Sequence, residues 1–376
     1  MKTKLVVFVF LFTLLSCSKD DSSTQDSTEG ILKISGKVMA PNSNFPISKA
    51  KVTVTKNGAV IAEKTTDAIG NFEIDKLPAG NLEVLLSKGD FKRTITVNLQ
   101  SNYQLTEAER SLNVFPKIAV VRGSWDEIEQ VLVNIGLVNP LTNQPAFDIV
   151  PGKTSDYRLS EPTQGAHNHG GAVAYRNANS LPANVTFTFY DLLHDTTLLN
   201  SYDVIFLNCG ARETYVTDTV AMNNLKAYVQ NGGILYATDY MYKYIKVMFE
   251  ESQYLTFSTP EKAGNSLVAN ATILNSDLAA WLTNQDINVD PTVQINGFLS
   301  AWQMVDTHNA TNVTSWLSAQ SVTYSNTVYT NKSLAFTFQY GSGGVFYSSF
   351  HTHGNDPSEA TIAQMMNYFI FELSSL

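Results

Sequence analysis

Between residues 31 and 108, short runs of alternating apolar and polar residues are separated by Gly, Pro, Asn and Asp. In the run "AKVTVTK", Val52 and Val54 would face one side of a strand and their neighbours the other, which is the period-two signature of a half-buried strand. The Asn57-Gly58 dipeptide lies between two such runs and is a strong hairpin signal. We therefore predict a small antiparallel β-sandwich for this segment.

From residue 112 to residue 376 the pattern changes to apolar runs that alternate with helical periodicity. We predict strands at 117–121, 185–190, 202–210 and 234–238, helices within 124–136 and 218–233, a β-hairpin around 341–344 and a last helix from Pro357 to about Phe371. Ser124 is the predicted cap of the first helix. Strands alternating with helices indicate an α/β domain with a mostly parallel sheet, whose ligands bind at the carboxyl ends of the strands.

The first residues combine a positively charged start, an apolar run and a cysteine. Lys2 and Lys4 precede apolar residues 5–15, a run too short to span a membrane as a helix. We therefore predict a secretory signal over residues 1–16. The stretch "LLSC" resembles a bacterial lipobox, which implies lipidation of Cys17 and a membrane anchor; a plain signal peptide cut nearby is the alternative.

Residues 17–30 are polar and lack an apolar side chain that could join a core, so we predict a flexible, lipid-anchored tether. The stretch "SKDD" resembles the acidic export tag of Bacteroidetes lipoproteins. That resemblance implies exposure at the cell surface on the outer membrane, and a periplasm-facing anchor is the alternative.

The chain is acidic, with a net charge of −9. Residues 1–16 hold two lysines and no acidic residue, so cleavage would change this charge to −11. Because no basic run is present, nucleic acid is excluded as a partner. Lipidation of Cys17 leaves Cys209 without a disulfide partner, so stability must come from hydrophobic cores, of which we expect two.

The first module also carries a family resemblance. The pattern TDxxGxFxIxxLxxG, from Thr66 to Gly80, resembles the carboxypeptidase regulatory-like domain, a transthyretin-like sandwich. Members of that family have no catalytic residues of their own. The resemblance therefore implies a spacer that holds the next domain away from the membrane, with an edge that binds carbohydrate or protein as the alternative.

The second module carries another resemblance, in the stretches "YDVIFLNCG", "LKAYVQNGGILYATDYMY" and "GGVFYSSFHTHGND". Together they resemble the class I glutamine amidotransferase-like superfamily, especially its trehalose-utilisation-like branch. The resemblance implies a three-layer, flavodoxin-like α/β domain over residues 112–376. Working members use a cysteine nucleophile after one strand and a histidine after a later one.

Carried over to this chain, the nucleophile position falls on Thr238 or Asp239, and neither is a cysteine. The histidine position falls on His351 or, with a two-residue shift, on His353. The stretch of Asn208, Cys209 and Gly210 falls on the turn whose backbone N–H groups can form an oxyanion hole. The resemblance therefore implies a domain that has lost its nucleophilic cysteine.

Two H-x-H pairs are candidate metal ligands. His351 and His353 would face the same side of an extended segment and, with Asp356 or Asp239, could hold Zn²⁺ or Fe²⁺. The alternative is a polar turn in which Asp356 caps the last helix. The second pair, His167 and His169, lies in a long glycine-containing loop that we expect near the pocket mouth.

Aromatic residues surround the same strand-to-helix turn. Tyr240 is a candidate ligand-binding residue, and its neighbours Tyr236, Tyr242 and Tyr244, together with Trp302, could stack on sugar rings. Core packing is the alternative for all five.

From these observations we expect a surface-anchored accessory or ligand-binding lipoprotein with a degenerate amidotransferase-like domain, related to glycans. The alternative is a hydrolase, either metal-dependent or built on Asp239 and His351, acting at the carboxyl ends of the strands. An assembly scaffold is a third alternative, which a large exposed apolar patch would indicate.

Overall fold

The computed structural model describes residues 31–153, 181–250, 253–353 and 360–373. The predicted signal and tether with Cys17, the pair His167 and His169, and Asp356 lie outside the described residues. Among the helices that are described, none has the length and apolar character needed to cross a membrane.

The first module consists of seven strands in two sheets. The strands are β1 (Leu32–Lys37), β2 (Lys51–Lys56), β3 (Ala59–Thr65), β4 (Asn71–Leu77), β5 (Gly80–Lys88), β6 (Phe91–Leu99) and β7 (Tyr103–Gln104). One sheet has the order β4-β1-β7 and the other β3-β2-β5-β6. The inward side chains of both sheets belong to one hydrophobic cluster, so the predicted sandwich is confirmed.

The predicted hairpin of the first module is also confirmed. Asn57 and Gly58 have φ values of 54° and 79°, which are the positive values that a tight two-residue hairpin turn requires. They join β2 to β3, and Val52 and Val54 of β2 are fully buried as the alternation predicts.

The second module contains the remaining strands and most of the helices. Its strands are β8 (Ile118–Val121), β9 (Asp148–Val150), β10 (Val204–Leu207), β11 (Ile234–Thr238), β12 (Leu255–Phe257), β13 (Leu267–Ile273), β14 (Val293–Phe298), β15 (Val305–His308), β16 (Val313–Ala319), β17 (Val322–Tyr324), β18 (Thr327–Tyr329), β19 (Lys332–Tyr340) and β20 (Gly343–Ser348). The α-helices within the described residues are α1 (Glu107–Arg110), α2 (Ile128–Asn134), α3 (Phe189–His194), α4 (Thr196–Leu199), α5 (Thr219–Gln230), α6 (Tyr242–Phe249), α7 (Ser276–Asn284) and α8 (Ala360–Leu373).

Nine of these strands form one sheet, in the order β14-β13-β16-β19-β20-β11-β10-β8-β9. The pairings from β20 to β9 are parallel, whereas those from β14 to β20 are antiparallel. The prediction of a mostly parallel sheet therefore holds for one half only. The other half is built from hairpins and meanders, because β19 turns back directly into β20, as the glycines around 341–344 predict.

Helices cover both faces of the sheet. Apolar residues of α2, α7 and α8 cluster with one face, for example with Val120 and Phe206. Residues of α3, α4, α5 and α6 cluster with the other face, for example with Val121 and Leu207. The module is thus a three-layer α/β structure with a mixed sheet.

Two local predictions for this module are wrong. The segment 185–190 was predicted as a strand, but Phe189 begins helix α3, whose start is fixed by reciprocal hydrogen bonds between Thr188 and Asp191. Helix α2 begins at Ile128 with Glu127 before it, so Ser124 does not cap it. The residues between β8 and α2 form a turn, and this turn contributes to the site described below.

The sandwich packs directly against the second module. The rings of Phe91 and Phe371 lie 4.9 Å apart, edge to face. Lys88 is buried and its ammonium lies 2.6 Å from the carboxylate of Glu372 on α8. Asn42 donates a hydrogen bond of 2.6 Å from its side chain to the carbonyl of Asn134, at the end of α2.

The structure contains two hydrophobic clusters, but they do not correspond to the two modules. One cluster runs from the sandwich through α8 to the near face of the large sheet, and the second lies on the far face. The sheet itself is therefore the boundary between the cores.

Candidate functional site

Four neighbouring parallel strands each deliver one ionisable side chain to the same edge of the sheet. His351 follows β20, Asp239 follows β11, Cys209 follows β10, and Asp126 follows β8. All four residues are fully buried. This edge, at the carboxyl ends of the strands, is where open α/β sheets bind ligands, and we call the four residues the edge cluster.

The turn after β11 has a strained backbone at Asp239, whose φ is 34°. Non-glycine residues rarely adopt positive φ, and such strain is common at functional turns. Thr238, the other candidate for this position, is the last residue of β11 and has an extended backbone. Asp239 therefore occupies the sharp turn between strand and helix.

The carboxyl of Asp239 lies among buried polar groups. Its Oδ1 accepts a 3.0 Å hydrogen bond from the backbone N–H of Gln303. Its Oδ2 lies 3.3 Å from Nε2 of His351 and 3.8 Å from Sγ of Cys209. Burial raises the pKa of this carboxyl well above its usual value, with the nearby Asp126 adding to the effect.

Asp126 connects three strand ends. Its Oδ1 accepts the N–H of Thr352 at 2.8 Å, and its Oδ2 accepts the N–H of Cys209 at 2.7 Å and the hydroxyl of Thr238. Burial raises the pKa of the Asp126 carboxyl to about 6, although these hydrogen bonds act in the opposite direction. Because the carboxyl organises three loops at once, it has a structural role in the cluster.

In the turn from Asn208 to Gly210, the backbone N–H of Cys209 is not free to bind an oxyanion. The N–H of Cys209 is bonded to Asp126 and, at 2.8 Å, to Oγ1 of Thr238. Nδ2 of Asn208 donates to Glu129 at 2.9 Å. Gly210 has a φ of 91°, and a Cβ there would lie 2.6 Å from the backbone nitrogen of the preceding loop, so glycine is required.

The thiol of Cys209 is poorly suited to act as a nucleophile in this state. Burial raises its pKa well above the usual value, and the nearby carboxyls Asp239 and Asp126 raise it further. The thiolate is the reactive form of cysteine. Cys209 is thus held as a neutral thiol.

His351 and His353 lie side by side, with ring centroids 6.4 Å apart and planes inclined by 18°. Nδ1 of His351 lies 3.0 Å from the carbonyl oxygen of Gly297. The metal-type grouping in the described residues consists of Asp126, Cys209 and His351, whose ligand atoms all lie within 4.8 Å of one another. His353 is not part of that grouping.

The aromatic residues near the turn are buried in the core and are not exposed to solvent. Tyr236, Tyr240, Tyr242, Tyr244 and Trp302 are all buried. Their polar atoms bond within the protein, as in the 2.7 Å hydrogen bond from Tyr242 to Glu261 and the 2.9 Å bond from Trp302 to the carbonyl of Asn265. The ring of Tyr240 lies 3.8 Å from the ammonium of Lys262. Core packing, not sugar stacking, describes these side chains.

Sequence reasoning missed Asp126 and Gln303. Asp126 was assigned to the first turn of a predicted helix, although its place five residues after β8 follows the same strand-end rule that identified Asp239. No local pattern identifies Gln303, since its contact with Asp239 joins residues 64 positions apart.

A separate groove lies on the antiparallel half of the large sheet. Its volume is about 530 Å³, and its lining includes Gln253, Tyr254, Asn312, Thr314 and Gln339. The ring of Tyr254 stacks on that of Phe338, with centroids 4.6 Å apart. We call this feature the amide groove, because side-chain amides and hydroxyls dominate its walls.

Comparisons with known proteins bear on the first module. Residues 33–109 match the model of the carboxypeptidase regulatory-like domain. No curated protein matches the sequence.

Three solved structures show distant likenesses. A 5-hydroxyisourate hydrolase from Klebsiella pneumoniae is 14% identical, with 22% of this chain and 92% of that chain covered and a TM-score of 0.18. A protein from Thermoplasma acidophilum described as a putative GMP synthase component is 11% identical, with 70% and 96% covered and a TM-score of 0.40. A cytoplasmic protein from Salmonella typhimurium is 14% identical, with 77% and 94% covered and a TM-score of 0.37.

All three scores are below 0.5, so we draw no functional conclusion from them. The family match and the observed two-sheet architecture agree on the same segment. Residues 33–109 therefore form a carboxypeptidase regulatory-like domain with a two-sheet β-sandwich fold.

Proposed function

We propose that the chain is a surface-anchored accessory lipoprotein that binds a ligand through a degenerate amidotransferase-like module and does not transfer ammonia. The signal-like residues 1–16 and the lipobox-like cysteine at position 17 support the anchor. The outer face of the outer membrane is the proposed location, with a periplasm-facing anchor as the alternative.

The observation that carries this proposal is the chemistry of the turn after β11. The strained position holds Asp239 instead of a cysteine, and its carboxyl is buried and bonded to Gln303. The nearby thiol of Cys209 is neutral, and its backbone N–H is occupied by Asp126. Thiol-based acyl transfer needs an activated nucleophile and free oxyanion donors, whereas here the thiol is neutral and the N–H of Cys209 is occupied.

The amide groove supports the binding role. Saccharides are recognised by convergent polar groups beside an aromatic surface, and the groove combines Asn312, Thr314 and Gln339 with Tyr254. We propose a glycan or a breakdown product of a glycan as the ligand. The groove lies on the antiparallel half of the sheet, away from the parallel strands that carry the edge cluster.

A glycan array probed with the purified protein tests this proposal. We expect binding to a restricted set of saccharides that falls at least about tenfold in Gln339→Ala, which removes one amide from the groove. The matched control is Asn270→Ala, an exposed residue of β13 on the same sheet. Absence of glycan binding by well-folded protein, or equal binding by both variants, would contradict the proposal.

A hydrolase is the second candidate, and a specific observation favours it. Nε2 of His351 lies 3.3 Å from Oδ2 of Asp239, which is close enough for proton transfer between an acid and a base. A screen with chromogenic esters, amides and glycosides tests it. Turnover that disappears in both Asp239→Asn and His351→Gln would support the hydrolase and displace the binding role.

A further inference from the structure

We infer that the edge cluster is a binding site for a divalent transition-metal ion of the zinc type, with Cys209, Asp239 and His351 as ligands and Asp126 as the fourth. This inference goes beyond the proposed function, since ligand binding in the amide groove does not depend on it. It also differs from the sequence-based pairing of His351 with His353.

The topology supports a built site. The strand order β20-β11-β10-β8 places four consecutive strand ends side by side, and each end supplies one ligand-type side chain. Metal ligands from separate but rigid elements give the fixed geometry that zinc requires. Because every member is fully buried, the cluster is not a chance grouping of surface acids.

Two distances within the edge cluster are close to those of tetrahedral coordination. With zinc bonds of 2.0–2.3 Å, the edges of a tetrahedron are about 3.3 Å between nitrogen and oxygen ligands and about 3.5 Å between sulfur and oxygen ligands. The observed distances from Oδ2 of Asp239 are 3.3 Å to Nε2 of His351 and 3.8 Å to Sγ of Cys209. The ligand atoms of Asp126, Cys209 and His351 all lie within 4.8 Å of one another, so these three side chains must move closer together to share one ion.

The neighbouring groups orient the ligands as in known metal sites. Nδ1 of His351 faces the carbonyl of Gly297, which leaves Nε2 directed at the cluster. A backbone carbonyl on the second ring nitrogen is a common way to fix a metal-binding imidazole. A thiolate with an imidazole favours zinc, cobalt or copper over calcium or magnesium, which prefer oxygen ligands.

Charge balance is consistent with a dication. A bound dication would face the thiolate of Cys209, the carboxylates of Asp239 and Asp126 and the neutral imidazole of His351, so the complete site would have a net charge of −1. Each ligand that is protonated before binding releases its proton to solvent when the metal binds. The buried anions are then compensated in part by the metal instead of by protonation.

The test uses the full-length chain, extracted in detergent without a histidine tag, refolded with Zn²⁺ or Co²⁺ and then dialysed. We expect about one equivalent of metal per chain by mass spectrometry, and a thiolate-to-cobalt charge-transfer absorption in the Co²⁺ form. Zn²⁺ should also raise the melting temperature of the protein, and a chelator should reverse that rise.

Variants decide where the metal lies. Cys209→Ala and His351→Gln should lose the bound metal, whereas His308→Gln and the double variant His167→Ala/His169→Ala should retain it. Near-ultraviolet circular dichroism verifies folding, and Cys209→Ser replaces Cys209→Ala if that variant does not fold. The inference would be overturned if the well-folded protein bound no metal. It would also be overturned if Cys209→Ala still bound metal and His353→Ala did not.

Discussion

At the scale of single residues, two buried carboxyls define the edge of the sheet. Asp239 sits on the strained turn, and Asp126 ties the loop before α2 to the ends of β10 and β20. A buried carboxyl without a cationic partner is more stable when protonated, so the stability of the fold should depend on pH through these groups.

The pKa of Asp126 gives a prediction with a definite sign. Its folded pKa of about 6 exceeds the ordinary value of 3.8, so the folded state binds the proton more tightly than the unfolded chain does. The protonated Asp126 carboxyl therefore stabilises the folded state fully at pH values below its pKa in the unfolded chain. This stabilisation is lost as the pH rises through the pKa of Asp126 in the folded state. A pKa difference of about 2 corresponds to about 3 kcal/mol.

Urea unfolding of chelator-treated protein between about pH 4 and about pH 7 measures this loss. The free energy of unfolding should fall by about 2 kcal/mol more in the native sequence than in Asp126→Asn, which cannot titrate, because part of the effect already lies below pH 4. His353, Cys209 and Asp239 interact with the same carboxyl, so the difference between the two proteins reports Asp126 together with its coupling to these groups. If the free energy of unfolding changed equally with pH in the two proteins, the raised pKa assigned to Asp126 would be refuted.

The residues of the site were predictable where a strand end marked them. Asp239, Cys209 and His351 follow apolar strands, so their convergence follows from the architecture alone. Asp126 and Gln303 reach the site through loops whose paths depend on tertiary packing, and sequence periodicity carries no information about such paths. The sequence is compatible with either a buried or an exposed ring at Tyr240. The tertiary structure shows that the ring is buried.

At the scale of elements, the segment before α3 shows why local pattern can mislead. The alternation in "VTFTFY" favours a strand, but Thr188 and Asp191 form a capping box and the chain becomes helical at Phe189. Val185 and Phe187 still pack against the core of the far face. These apolar side chains therefore contact the core even though the backbone before α3 is not a strand.

Removing the cap tests this explanation. Thr188→Ala should lower the free energy of unfolding by about 1 kcal/mol and speed amide exchange in α3, because the N–H of Asp191 loses its acceptor. Thr197→Ala, an exposed position of α4, is the matched control. Equal effects of the two substitutions would show that the cap does not determine the start of the helix.

At the scale of the whole molecule, the sandwich is docked on the α/β module through a continuous apolar core. Phe371 on α8 contacts Phe91 of the sandwich, and Lys88 pairs with Glu372 beside them. A spacer joined only by a linker would unfold independently. The sequence predicted both modules but not this contact, since the apolar surface of α8 looks the same whether a sheet or a second domain covers it.

We therefore expect the two modules to unfold in one cooperative transition in calorimetry. Phe371→Ala should lower the free energy of unfolding by about 3–5 kcal/mol. It should also separate the transition into two, because it removes the ring on α8 that contacts Phe91 of the sandwich. Val268→Ala, an exposed position of β13, should leave a single transition. Two transitions in the unmodified protein would indicate that the modules are energetically independent.

The central claim is that the α/β module binds a ligand and does not turn it over. The most direct test is a calorimetric titration of the protein with the saccharide that binds best on the glycan array. The account predicts heats that saturate near one equivalent, weaken in Gln339→Ala and are unaffected by Asp239→Asn. A sustained heat flow that Asp239→Asn abolishes would contradict it, because continuous heat indicates turnover at the edge of the sheet.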